Sequence, residues 1–284
     1  MESKSKGRGI FLRSFRRLLL ALVIFYVGAC GLVFIFQRHL IYLPVVRTVA
    51  AVDQLARAAG MERWTNFSGQ CIGLKRTCTH QPSAGSVLML YGNASSAVGC
   101  SVYADVIQSV APLDFYVVEY PGYEDRLNAP TRASLMAAAQ EAFQSLDLHR
   151  PVYLVGESLG TGLASFLAGE FPEKTSGIIL LSPYHRLAEV AQSHYPWLPA
   201  RWLLQDDFWP EKYLRNYHGR VAMMIDGQDE VVPAAFGQRL FDGYAGPKKL
   251  WEYPGRHHVE LGESPETFWK AVAEFWRVGK NAGP

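Results

Sequence analysis

Ser158 lies in Gly156-Glu157-Ser158-Leu159-Gly160, a G-x-S-x-G pattern. The pattern alone is common. Here it directly follows the apolar run Val152-Tyr153-Leu154-Val155 and directly precedes a helical stretch opening at Leu159. Strand, sharp turn and helix in that order form a nucleophile elbow, which presents the serine on a strained turn where side chains two residues either side would collide. A serine hydroxyl is a poor nucleophile and needs an imidazole beside it, oriented in turn by a carboxylate. In sheets that carry such an elbow, the acid and then the base follow the serine along the chain. Downstream, the run Val221–Asp226 ends in Gly227-Gln228-Asp229-Glu230, and the run Lys249–Tyr253 ends in Pro254-Gly255-Arg256-His257-His258. Asp226 closes its strand, Asp229 lies in the loop where a carboxylate can reach a histidine, and Glu230 then points elsewhere. Asp229 is the expected acid, and His257 or His258 the expected base. His39, His80, His149, His185, His194 and His218 do not follow a strand at the right place and read as structural or surface residues. The expected chemistry is acyl transfer to water. The neighbouring Gly160-Thr161-Gly162 is no dinucleotide loop, because Ser165 stands where a third glycine is needed.

The elements that must position these residues are short. Apolar runs at Ser86–Tyr91, Phe115–Tyr120, Val152–Gly156, Gly177–Leu181, Val221–Asp226 and Lys249–Tyr253 alternate with helical stretches at 97–110, Thr131–Leu146 and Leu159–Phe171. Continuous apolar strands separated by amphipathic helices predict an α/β fold with a mostly parallel central sheet covered on both faces. Residues 50–60 read as a helix, and 61–79 as a hairpin with Gly69 and Gly73 near turns or bulges. An insertion at 183–218 contains Tyr195, Trp197, Leu198, Trp202, Leu203, Leu204, Phe208 and Trp209. It reads as a small cap, whose aromatics either line an acyl pocket or pack the insertion onto the sheet.

Lys4, Lys6, Arg8, Arg13, Arg16 and Arg17 precede an uncharged apolar run from Leu18 to Phe36. At helical rise that run spans about 28 Å, close to the hydrocarbon thickness of a bilayer. It is too long for a usual signal-peptide core. Val27-Gly28-Ala29-Cys30 loosely resembles a lipoprotein cleavage box, but Gly31–Phe36 continues the apolar run beyond the cysteine. The expected organisation is a basic cytoplasmic N-terminus at 1–17, a transmembrane anchor at 18–36, a juxtamembrane segment at 37–60, and one domain at 61–284. The basic residues before the span place that domain on the extracytoplasmic side. The formal charge of the 284 residues is only +2 and the basic excess is confined to the N-terminus, which argues against a nucleic-acid partner. Cys71 and Cys78 could pair in an oxidising compartment, or remain small buried thiols; their spacing is not a zinc signature.

On these residues the chain resembles the membrane-anchored α/β-hydrolase-domain serine hydrolases of bacteria and eukaryotes. The resemblance covers nearly the whole chain: the anchor, Leu40-Ile41-Tyr42-Leu43-Pro44, Gly92-Asn93-Ala94, Tyr120-Pro121-Gly122-Tyr123, the elbow, Leu181-Ser182-Pro183-Tyr184, the acid loop from Gly227 to Pro233, and Gly255-x-x-His258. It implies the α/β-hydrolase fold, a triad of Ser158, Asp229 and His258, and no metal or cofactor. The G-x-x-H spacing selects His258 over His257. The family's His-Gly-Asn-Ala loop falls on Tyr91-Gly92-Asn93-Ala94, which implies an oxyanion hole from the backbone amides of Asn93 and Leu159. Two departures stand out: Tyr91 replaces the usual histidine, and Val259-Glu260 replaces a polar pair. The implied activity is hydrolysis of carboxylic esters, with lipid-like or long-acyl esters favoured by the anchor, and no obligate protein partner. A peptidase or thioesterase on the same fold, or a catalytically silent tethered interaction domain, are the alternatives.

Overall fold

The computed structural model describes residues 2–79, 82–259 and 266–279, so His80 and Glu260 lie outside the described residues. Helix α1 runs from Glu2 to Ile41, well beyond the uncharged run at both ends. Within it, Leu12–Ile41 is long and apolar enough to cross a membrane, and almost none of it is buried against the body. The helix continues past Phe36 because Gln37 finds partners in the cap: its Nε2 donates to the Leu203 carbonyl at 3.1 Å, and its Oε1 accepts from the Gln205 amide at 2.8 Å. Residues 42–48 belong to neither a helix nor a strand. Thr48 then caps α2 (Val49–Ala58), its side chain accepting from the Ala51 amide.

The hairpin follows as β1 (Glu62–Thr65) and β2 (Cys71–Arg76). Gly69 has φ +78° in its turn, and Gly73 pairs with Trp64 beside an irregularity in register. A side chain at Gly73 would meet the Val117 carbonyl at 2.0 Å, so only glycine fits there. The core strands are β3 (Ser86–Leu90), β4 (Asp114–Val118) and β5 (Val152–Glu157), with β6 (Thr175–Leu181), β7 (Val221–Asp226) and β8 (Lys248–Tyr253). The sheet has eight strands in the order β1-β2-β4-β3-β5-β6-β7-β8. From β4 to β8 every pairing is parallel, while β1–β2 and β2–β4 are antiparallel. Val87–Tyr91, Val152–Val155, Ile178–Leu181 and Val221–Met224 are buried throughout. Burial on both faces is what makes these strands continuous apolar runs, and each such side chain contributes about 1.5–3 kcal/mol.

Helices cover the two faces: α3 (Ser101–Val110), α4 (Arg132–Gln144) and α5 (Leu159–Glu170) come first. Thr131 and Ser134 close a capping box at the start of α4. The insertion between β6 and β7 forms α6 (Leu187–His194), α7 (Ala200–Leu203) and α8 (Pro210–Tyr213). Helix α9 (Ala234–Gly243) follows β7, and α10 (Glu266–Trp276) follows β8. The cap divides its aromatics. Phe208 is fully buried against Gly162 of α5, pinning the insertion to the body, and within the insertion Arg186 lies over the Trp209 ring at 4.5 Å. Tyr195, Trp197 and Trp202 are exposed.

The open question of whether Cys71 and Cys78 pair is answered by the strand between them. Cys71 opens β2 and Cys78 lies just past its end, so the extended strand holds them about 20 Å apart, against the 4.4–6.8 Å between Cα atoms of a disulfide. Cys30, Cys71, Cys78 and Cys100 form no disulfide: Cys71 is exposed, while Cys78 and Cys100 are buried.

Candidate active site

Three loops at the carboxyl ends of parallel strands meet here. At the end of β5, Ser158 has φ 49° and ψ −117°, outside the regions open to ordinary side chains. Crowding enforces the flanking glycines: a Cβ at Gly156 would lie 2.8 Å from the Ala164 side chain, and one at Gly160 only 2.0 Å from the Leu90 carbonyl. The Ser158 amide donates to the Leu181 carbonyl at 2.9 Å, fastening the turn to β6.

His258 comes from the loop after β8. Its Nε2 is 2.9 Å from Ser158 Oγ, and its Nδ1 is 2.6 Å from Asp229 Oδ2. An ionised carboxylate can only accept, so Nδ1 carries the proton and Nε2 accepts from the serine hydroxyl. The other oxygen of Asp229, Oδ1, accepts from the amides of Val231 at 2.8 Å and Val232 at 2.7 Å. The carboxylate is thereby aimed by its own loop, and its side chain is 1% exposed.

The geometry separates the three acids of this loop. Glu230 turns outward to His257, with 2.6 Å between Oε1 and Nδ1. Asp226, buried at the end of β7, accepts from Ser182 Oγ at 2.8 Å and from the Val259 amide at 3.2 Å, with the Arg256 guanidinium 3.6 Å away. Burial raises the Asp226 carboxyl above its ordinary value, against the opposing pull of those donors. Asp226 thus ties the histidine loop to the ends of β6 and β7.

Asn93 lies in the loop after β3. A Cβ on the adjoining Gly92 would be 3.4 Å from Ser158 Cβ, so this loop faces the serine. The Asn93 side chain fixes it: Oδ1 accepts from the Leu43 amide at 2.9 Å and from the Tyr123 hydroxyl at 3.1 Å. Leu159 opens α5, where the first helical amides have no carbonyl partner within the helix. Tyr91, in the place of the usual histidine, keeps the loop internally bonded. Its hydroxyl donates to Glu119 and accepts from the Tyr120 amide at 3.1 Å, while its carbonyl accepts from the Tyr120 hydroxyl at 3.0 Å.

Two buried acids were not singled out by the sequence. Glu157, just before the serine, accepts from the Tyr103 hydroxyl at 2.5 Å, and its other oxygen lies beneath Gly92. Burial raises its carboxyl. The only signal in the chain is a charged residue closing an apolar strand. Glu119 accepts from Tyr91 and, at 3.1 Å, from the Ala97 amide. Burial pushes its carboxyl up from 4.5 to about 8. The folded chain therefore holds this proton more tightly than the unfolded chain. The resulting stabilisation is full below the unfolded value and is lost as the pH rises through the folded one. Between about pH 5 and 9 the melting temperature of the wild type is expected to fall relative to that of Glu119→Gln; parallel curves would show that Glu119 titrates as an ordinary carboxylate.

Of the remaining histidines, His185 is buried against Phe236 with ring centroids 5.4 Å apart, and His194 Nε2 lies 2.9 Å from the Val231 carbonyl. Among the described residues, no group of three or more His, Cys, Asp or Glu side chains is arranged to hold a metal ion.

Residues 87–217 match the sequence profile of the alpha/beta hydrolase fold. An uncharacterized protein of Mycobacterium tuberculosis is 32% identical over 231 residues, covering 78% of this chain and 80% of that protein. A lysophosphatidylserine lipase of Danio rerio is 25% identical over 291 residues, covering 86% of this chain and 76% of the lipase. Among solved structures, an esterase of Pyrococcus furiosus superposes with a TM-score of 0.62 at 14% identity, over 83% of this chain and 97% of its own. A monoacylglycerol lipase of Paleococcus ferrophilus gives 0.53 at 18% identity, over 69% and 95%. At those identities the two structures speak to the fold. With its parallel sheet, its elbow after β5 and its relative at 32% identity, the chain belongs to the alpha/beta hydrolase fold family.

Proposed function

We propose that this chain is a membrane-anchored serine hydrolase that cleaves carboxylic esters through an acyl-enzyme. The observation that carries the reading is the continuous line of hydrogen bonds from Ser158 Oγ through His258 to the buried Asp229. In this mechanism Ser158 Oγ attacks the ester carbonyl as His258 Nε2 takes its proton. Asp229 holds the imidazole in the required tautomer and stabilises its charged form. The amides of Asn93 and Leu159 receive the oxyanion, each worth about 3–4 kcal/mol to the transition state. His258 then protonates the departing alcohol and activates the water that releases the acid. The esterase and lipase names among the relatives support esters as the substrate class.

Helix α1 is the anchor in this reading, with its basic start in the cytoplasm and the sheet on the far side. The full chain in detergent is expected to react with a fluorophosphonate probe and to hydrolyse p-nitrophenyl butyrate. A folded chain that does neither is not a serine esterase. A C-terminal reporter active only in the cytoplasm would reverse the orientation.

A further inference from the structure

The last turns of α1 and the cap segment 191–204 line a half-open cavity of about 80 Å³, several times the ~10–15 Å³ that one water needs. Val33, Leu40, Ile41, Ala191, Leu198 and Leu204 give it apolar walls. Gln37, the one amide side chain in its lining, is already engaged with Phe34, Leu203 and Gln205.

The surroundings are built for contact with hydrocarbon. Trp202 is 87% exposed and Trp197 58% exposed, although both sit in a segment packed beside α1. The Tyr26 hydroxyl donates to the Trp197 carbonyl at 2.8 Å. Tyr26 lies ten residues before Phe36, so this bond sits about 15 Å along the helix from the end of the uncharged run. With α1 across a bilayer, the tip of the cap lies at hydrocarbon depth, where a backbone carbonyl must find a protein partner. The Phe34 carbonyl likewise accepts from Gln205 Nε2 at 2.9 Å. The charges nearby are paired: Arg201 with Glu189 at 2.6 Å, and Arg38 with Asp206 at 2.9 Å.

Both wall segments are tied to loops of the candidate active site. Two residues after Ile41, the Leu43 amide holds the Asn93 side chain that fixes the loop facing Ser158. His194, at the end of α6, touches the Val231 carbonyl in the loop that carries Asp229.

We propose that this cavity binds the acyl chain of a membrane lipid ester, which enters from the bilayer between the end of α1 and the cap and brings its ester carbonyl to Ser158. The inference rests on Ser158 being the nucleophile of an ester hydrolase. The anchor then serves as one wall of the substrate site as well as a tether. A chain buried there gains roughly fourfold in kcat/KM per methylene.

The test uses the full chain in phosphatidylcholine vesicles, with p-nitrophenyl dodecanoate and p-nitrophenyl acetate as substrates and fluorophosphonate labelling as the readout of the serine. Ala191→Trp fills the cavity and is expected to lower the dodecanoate-to-acetate ratio of kcat/KM by about 100-fold, the loss of three to four buried methylenes. An unchanged ratio in a labelled variant overturns the acyl site while leaving the hydrolase reading intact. Should Ala191→Trp fail to label, Leu204→Ala decides. Its larger cavity is expected to raise the hexadecanoate-to-dodecanoate ratio several-fold, and no change in that ratio overturns the proposal. A folded wild type without labelling removes the hydrolase reading, and the acyl site with it.

Discussion

Ser158→Ala is expected to lower kcat for p-nitrophenyl butyrate by about 10⁶-fold and to abolish fluorophosphonate labelling. The serine oxygen is the only group in the site with both a strained presentation and an imidazole at 2.9 Å. Its removal leaves His258 to activate water in a site shaped for a covalent intermediate. Groups that act as a unit are strongly non-additive, so Ser158→Ala combined with His258→Ala should cost little more than either change alone. The residual rate, about 10³–10⁴ above the reaction in water, would come from the oxyanion donors and from substrate binding. The variant should keep the wild-type melting temperature to within a few degrees, because Ser158 Oγ bonds to no structural group besides His258 among the described residues. A loss of less than about 100-fold would place the nucleophile elsewhere.

Asp229→Asn is expected to lower kcat by about 10⁴-fold with the fold retained. The substitution keeps an oxygen for the amides of Val231 and Val232, so the loop should hold its shape. What changes is the direction of the bond to His258. An amide NH₂ pointing at Nδ1 makes that nitrogen an acceptor and moves the imidazole proton to Nε2, where it can no longer receive the serine proton. Steady-state kinetics of the purified variant, with circular dichroism as the check on folding, would measure this. A change below about tenfold would remove Asp229 from the mechanism. Asp226, only three residues earlier, is the control: its bonds go to Ser182 and Val259, so Asp226→Asn should act first on stability.

Much of this arrangement was readable along the chain. Strands β3 to β7 showed themselves because each is largely buried on both faces and bounded by turn residues, leaving short apolar runs with little polar alternation, whereas the edge strand β8 is only partly buried and was legible from its place after β7. The elbow was readable because the crowding around Gly156 and Gly160 excludes any larger side chain. Other features depend on partners brought from afar. Helix α1 outruns its hydrophobic stretch because Gln37 and Arg38 meet Leu203 and Asp206, more than 160 residues away. The roles of Glu119 and Glu157 rest on Tyr91, which the pairing of β3 with β4 brings beside Glu119, and on Tyr103, which the packing of α3 brings to Glu157. Whether Cys71 and Cys78 pair stayed open along the chain, because the answer turns on Cys71–Arg76 being one uninterrupted strand, which makes local proximity in sequence a distance in space.

The separation of 100 positions between Ser158 and His258 also sets an order in time. As the chain is synthesised from its N-terminus, the elbow and its serine are complete long before β8 and the histidine loop exist. Domains tend to fold as units, and a parallel sheet with such distant pairings assembles slowly. Throughout that interval Ser158 is an ordinary alcohol without a base. In the proposed mechanism the chain thus carries a built-in delay, in which the nucleophile stays inert until the last strand, β8, and the histidine loop after it are in place.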